Sequence, residues 1–173
     1  MRSVDSRIDR RSPSATKRGI GILLVLITGS AVDTGCGGRM PVALADGSGR
    51  LAPCPASPNC VSSEATDALH ATAAYRIRGD SRAAWKALES HLRELPRVEL
   101  VTVAGDYLHA VFTTRLMRYR DDVEFVVDAP AGVIRLRSAS RVGYGDMGVN
   151  RERLESIRSV LIEGGFVEAV ETR

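Results

Sequence analysis

Metal chemistry has little to work with in this chain. Its 173 residues include only three cysteines and three histidines, and none falls at a spacing that would complete a zinc set around Cys54 and Cys60. No metal and no cofactor is therefore expected. There is no nucleophile elbow, no P-loop and no zinc motif, so the familiar signatures of hydrolytic chemistry are missing. No apolar run reaches the ~20 residues that cross a bilayer comfortably. Neither sign of charge dominates: 24 Lys and Arg face 21 Asp and Glu, a net +3. Much of that excess sits at the start, where Arg2, Arg7, Arg10, Arg11, Lys17 and Arg18 face only Asp5 and Asp9. The remainder is near neutral, and no nucleic-acid partner is expected. No internal repeat is present.

What is there begins with an address. Residues 19–32 form an uncharged, mostly apolar run directly after Lys17-Arg18, and small residues follow. A basic flank, a short apolar core and small residues describe a secretory signal. Thr34-Gly35-Cys36 resembles a bacterial lipobox, with Asp33 where an apolar residue normally stands. Lipidation at Cys36 would anchor the protein in the envelope, facing the periplasm, with the membrane as its partner. Cleavage after Ala43-Leu44-Ala45 would instead release a soluble periplasmic protein. The expected organisation is an export segment over 1–36, a flexible tether rich in Gly, Pro, Ala and Asp over 37–53, and one domain over 54–173. Cys54 and Cys60 enclose five residues, two of them proline. In an oxidising compartment they can form a disulfide; a metal site or two free thiols are the alternatives.

The domain reads as α+β. Alternation over 73–78 predicts a short strand. Asp80-Ser81 can cap a helix to Leu95 whose apolar positions Ala84, Trp85, Leu88 and Leu92 recur with helical spacing, and Pro96 ends it. Trp85 reads as a core anchor, with ligand stacking as the other possibility. A four-strand meander follows over 98–103, 107–116, 122–128 and 133–140, with turns at Gly105-Asp106, after Arg115 and at 129–132. Asn150 is positioned to cap a last helix running to Glu163, and Gly164-Gly165 ends it. The expected architecture is strand, helix, four-strand antiparallel meander, helix, with the helices packed on one face of the sheet.

Period-two alternation sorts the meander. Leu108, Ala110, Val123, Phe125, Ile134 and Leu136 face the core. A four-residue turn at 129–132 puts Glu124 opposite Arg137. A short turn after Arg115 would put Thr113 opposite Glu124. The other face then carries a polar row, His109, Thr113, Glu124 and Arg137, flanked by Asp122, Arg115 and Arg135. Solvated ion pairs explain Arg115 and Arg135 well enough, at ~0.2–1 kcal/mol each. The densest mixture is residues 137–151, which pack Arg137, Ser138, Ser140, Arg141, Tyr144, Asp146, Asn150 and Arg151 between a strand and a helix. Gly143-Tyr144-Gly145-Asp146-Met147-Gly148 has the form G-x-G-x-x-G, but it closes an antiparallel meander rather than opening a βαβ unit, which argues against a dinucleotide. Its glycines still allow close backbone approach at a helix start that favours anions. An Arg141–Asp146 pair inside a structural loop is the other reading.

Together, the stretches 54–63, 107–110, 121–125, 137–144 and 148–151 resemble the DUF1499 family, over about Leu51 to Leu161. Gly145 and Met147 stand where serine and leucine would be expected. The resemblance implies an exported or lipid-anchored bacterial protein, with no reaction attached. Two functions remain open. One is an envelope-anchored domain that binds a small polar or anionic ligand or a partner protein, through Arg137, Arg141, Tyr144, Asn150 and Arg151. The other is a hydrolase-like enzyme with His109 and Glu124 as acid–base partners and a nucleophile among Ser62, Ser63, Ser138 and Ser140.

Overall fold

A computed structural model describes residues 49–169. The export segment, Cys36 and most of the tether lie outside the described residues. In chain order the elements are β1 (Cys60–Ser62), β2 (Tyr75–Arg76), α1 (Ser81–Glu94), β3 (Val98–Ala104), β4 (Tyr107–Thr113), β5 (Arg120–Asp128), β6 (Val133–Ser140) and α2 (Val149–Glu163). Six strands form one antiparallel sheet in the order β1-β6-β5-β4-β3, with β2 also paired to β6. Two short strands thus share the free edge of β6: Tyr75 lies opposite Ile134, and Cys60 opposite Ala139. With its two helices, the domain is mixed α+β.

The strand expected over 73–78 is shorter, because Ile77 already leaves it for a bridge to Val167. β1 has no counterpart in the sequence reading; three residues carry too little pattern to register. β4 stops at Thr113 rather than running to 116. There Thr114 turns the chain: its Oγ1 accepts from the Tyr119 amide, its own N–H reaches the Tyr119 carbonyl, and Arg118 takes a left-handed φ of 57°. The reversal is therefore a longer loop than the sequence suggested, and the register follows from it. Thr113 pairs with Arg120, and His109 takes the place opposite Glu124.

α1 is capped by Asp80, whose carboxylate accepts from the Arg82 and Ala83 amides. One core collects Trp85, Leu88 and Leu92 of α1, Leu154, Ile157 and Leu161 of α2, and Leu108, Phe125 and Leu136 of three adjacent strands. Trp85 is a core residue. Cys54 and Cys60 are joined in a disulfide, which ties the segment before β1 to the sheet edge.

Candidate functional site

The sheet face that carries alternate residues from the core holds charge, and that charge is buried. Tyr107, His109, Asp122, Glu124 and Arg137 project there because each is one residue out of phase with Leu108, Val123, Phe125 or Leu136. Glu124 stands opposite Arg137, the register that the turn at 129–132 dictates. Arg137 donates to Glu124 Oε2 at 3.0 Å, and the Tyr107 hydroxyl donates to Oε1 at 3.0 Å. One strand position along, Asp122 is shared: His109 Nε2 lies 2.8 Å from Oδ1, and Arg141 grips both oxygens at 2.8 and 2.9 Å. His109 and Asp122 are each 1% exposed and Glu124 is wholly buried.

Burial works against ionisation of Asp122, but the hydrogen bonds from His109 and Arg141 outweigh it and hold the carboxyl below its ordinary value. For Glu124 the balance tips the other way. Burial pushes it up, and Arg137, Tyr107 and His109 pull back without cancelling the shift. Tyr107 is raised in turn by its own burial and by the Glu124 carboxylate. Arg137 Nε remains buried with no partner.

The opposite face holds a second polar group, under the start of α2. Ser138, Ser140 and Asp121 share the phase of Leu136 and Val123, so they point toward the helix. The Asn150 amide joins them. Its oxygen accepts from Ser138 at 2.6 Å and from Arg153; its nitrogen donates to Ser140 Oγ and to the Asn59 carbonyl, both at 3.0 Å. Arg153 also reaches Ser138 and Asp121 and lies over the Phe112 ring. Asn59 extends the group to the Gly143 carbonyl at 2.7 Å.

Asn150 is therefore not the cap of the last helix. It sits inside the first turn and is wholly buried. Asp146 satisfies the helix start instead, accepting from the amides of Gly148 and Asn150. The capping oxygen comes from the loop because Gly148, in a left-handed conformation at the boundary, has no side chain to offer. These bonds hold the Asp146 carboxyl below its ordinary value against the opposing effect of burial.

The residues expected to gather at one point do not. Arg141 lies on the charged face, bonded to Asp122 rather than Asp146. Asn150, Ser138 and Ser140 lie on the helix side. Tyr144 is 77% exposed. Arg151 donates to the carbonyls of Ala71 and Leu69 and fastens the loop before β2. Nor does any of the four candidate serines meet His109. Ser138 and Ser140 are across the sheet. Ser62 shares the charged face but stands three strands away, about 14 Å by ladder spacing, and its hydroxyl accepts from the Glu64 amide. Ser63 Oγ accepts from the Leu136 amide. Among the described residues no three His, Cys, Asp or Glu side chains converge as a metal set.

The open surface is elsewhere. A groove of about 550 Å3 runs between the loop after β4 and the loop before α2, lined by Leu116, Met117, Tyr119, Val142, Met147 and Val149 together with the polar Thr114, Asp121, Ser140 and Asp146. Leu116 is 88% exposed and Met147 99%. The sequence pattern had placed Leu116 at the end of a strand and left Met117 unassigned. Asp121 and Arg153 were missed too. Asp121 was legible, since it alternates with Val123, Phe125 and Val127 and so belongs on the helix side. Arg153 was legible only through its place three residues after Asn150 on one helix face.

A family model described as a protein of unknown function, DUF1499, matches residues 50–161, from the tether's end through α2's final turns. No curated protein and no solved structure matches the chain.

Proposed function

Because the chain belongs to the DUF1499 family of proteins of unknown function, its role must be read from its own geometry, and we infer that it is an envelope-anchored binding domain whose binding surface is the groove between residues 114–119 and 142–149. The observation that carries this reading is the groove itself. Its size falls within the several hundred Å3 usual for ligand sites, and its lining is mostly apolar, with Thr114, Asp121, Ser140 and Asp146 as the polar members. Arg141 and Arg151 direct their N–H groups to partners within the chain, and Arg137 is buried with one N–H on Glu124, which weakens the case for a small free anion as ligand. A ligand or partner with an apolar part suits the walls better.

For the enzyme reading, none of the four candidate serines reaches His109, and Asp122 rather than Glu124 holds the imidazole. Residence in the envelope is part of the proposal. The Cys54–Cys60 disulfide supports an oxidising compartment, and the apolar run with Cys36 supports export and lipid attachment.

NMR titration of the full chain with laurate, and separately with phosphate and citrate, tests the groove. Laurate should shift the amides of 114–121 and 140–149 and leave those of 124–137, around the Glu124–Arg137 pair, in place. Shifts centred on Arg137 and Arg141 with the small anions would restore the anion reading. No shift with any of the three would overturn the binding function.

A further inference from the structure

Resting on the reading of that groove as the binding surface, we propose that its two loops dock onto an anionic lipid bilayer, with Leu116, Met117, Tyr144 and Met147 entering the interface and Arg115 and Arg118 meeting lipid phosphates. The first loop reads Thr114-Arg115-Leu116-Met117-Arg118-Tyr119, and residues 115–119 are all exposed. Two apolar side chains at a tip, an arginine on each side and a tyrosine behind them match the layers of a bilayer boundary. Apolar groups enter the acyl edge, tyrosine settles at headgroup depth, and cations face the phosphates. The second loop adds Met147 from the other side of the groove and carries Tyr144, 77% exposed, between two groove-lining glycines, Gly143 and Gly145. Side chains this far into solvent offer a protein partner few flanking contacts, whereas a fluid lipid surface closes around them.

Charge selects the kind of bilayer. Two carboxylates near the rim have cationic partners, Asp121 in Arg153 and Asp122 in Arg141; Asp146, held by two backbone amides, keeps its single negative charge. Glu99 reaches Arg120. Among the described residues Arg115 and Arg118 have no carboxylate partner, so two unpaired arginines outnumber Asp146 and the rim keeps an excess of positive charge, which an anionic leaflet complements. The backbone gives a second, independent sign. Of the three described non-glycine residues with left-handed φ angles, Arg118 at 57° and Met147 at 54° sit one in each loop, and the third, Arg97, lies in the turn before β3; the conformation is one that side chains other than glycine seldom take.

Hydrogen–deuterium exchange of the full chain, bound to vesicles of phosphatidylcholine alone or mixed with phosphatidylglycerol, tests the proposal. A local readout is needed because the apolar N-terminal run can attach the chain whatever the loops do. The amides of 115–119 and 143–149 should exchange several-fold more slowly on the anionic vesicles than in solution. The double variant Leu116→Glu with Met147→Glu should lose that slowing while keeping its melting temperature, and Arg115→Ala with Arg118→Ala should remove the difference between the two kinds of vesicle. Vesicle-bound chains whose loops exchange as fast as in solution would overturn the proposal. So would equal slowing on both lipids in the unmodified chain. If laurate shifts the groove while the loops stay unprotected on vesicles, the binding surface stands and the bilayer is not its occupant; if laurate fails as well, both fall.

Discussion

Two regions of this domain contrast in how their side chains are matched. On the charged face of β4, β5 and β6, every carboxylate is matched within the chain: Glu124 by Arg137 and Tyr107, Asp122 by His109 and Arg141. At the rim of the groove the reverse holds, and Leu116 and Met147 stand in solvent with little against them. Residue type alone points the wrong way. Buried charges attract a catalytic reading, yet here they close on one another and brace the sheet. Apolar loop residues attract no attention, yet they are the side chains that the fold leaves exposed.

The sharpest way to break this contrast is to remove one charge from the frame. Arg137→Ala would leave Glu124 wholly buried without its cation, and such truncations cost about 3–5 kcal/mol. Denaturant unfolding should register that loss in full. A variant that unfolds like the parent would mean the face is wetter than its burial indicates, and the charged residues would again be candidates for a site. Arg141→Ala belongs to the same class, since its fork holds Asp122 through two bonds.

The second test concerns the two residues at the start of α2. Asn150→Ala removes a buried amide bonded to Ser138, Ser140, Arg153 and the Asn59 carbonyl, and should cost about 2–3 kcal/mol. Asp146→Ala removes an exposed-side cap and should cost about 1 kcal/mol. If the two losses come out reversed, Asn150 is the cap after all and the polar group beneath the helix contributes little.

That pair also shows how far the sequence could be read. The Glu124–Arg137 pairing was legible because 129–132 is a short closed turn between two clear alternations, and counting back from it leaves one register. The role of Asn150 was not. Asparagine before an apolar helical stripe fits a cap, and only the rotation of α2 over the sheet, with Asn59 arriving from a distant segment, decides otherwise. The groove was hidden for a related reason. Leu116 and Met117 continue the apolar character of β4, and the bond between Thr114 and Tyr119 that ends the strand depends on a backbone conformation that the alternation pattern does not encode.

A finer comparison lies within the frame, between its two carboxylates, which should respond oppositely to acid. The Asp122 carboxyl is held below its ordinary value of 3.8, so its contribution to stability is present above that value and fades as the pH falls through the lower, folded one. Glu124 is raised above 4.5, so its contribution is full below that value and is lost as the pH rises through the higher, folded one. Melting temperatures between about pH 3 and pH 7 separate them. Asp122→Asn should fall furthest below the parent near neutrality and approach it in acid. Glu124→Gln should gain on the parent as the pH rises. Parallel curves for the two variants would show that the carboxylates titrate as they would in water.

The smallest expected effect is at the rim, and there smallness is the point. Leu116→Ser replaces a side chain that is 88% exposed and outside the core, so its change in stability should stay within about 0.5 kcal/mol. The same substitution takes an apolar wall from the groove, and the laurate-induced shifts of 142–149 should weaken or vanish with it. Both halves are needed. A clear loss of stability would make Leu116 part of the frame, packed in solution more tightly than its exposure suggests. An unchanged laurate response would mean that the groove is not where apolar ligands settle. Only a variant that folds like the parent and binds less keeps the two regions distinct, one matched within the chain and the other exposed at its rim.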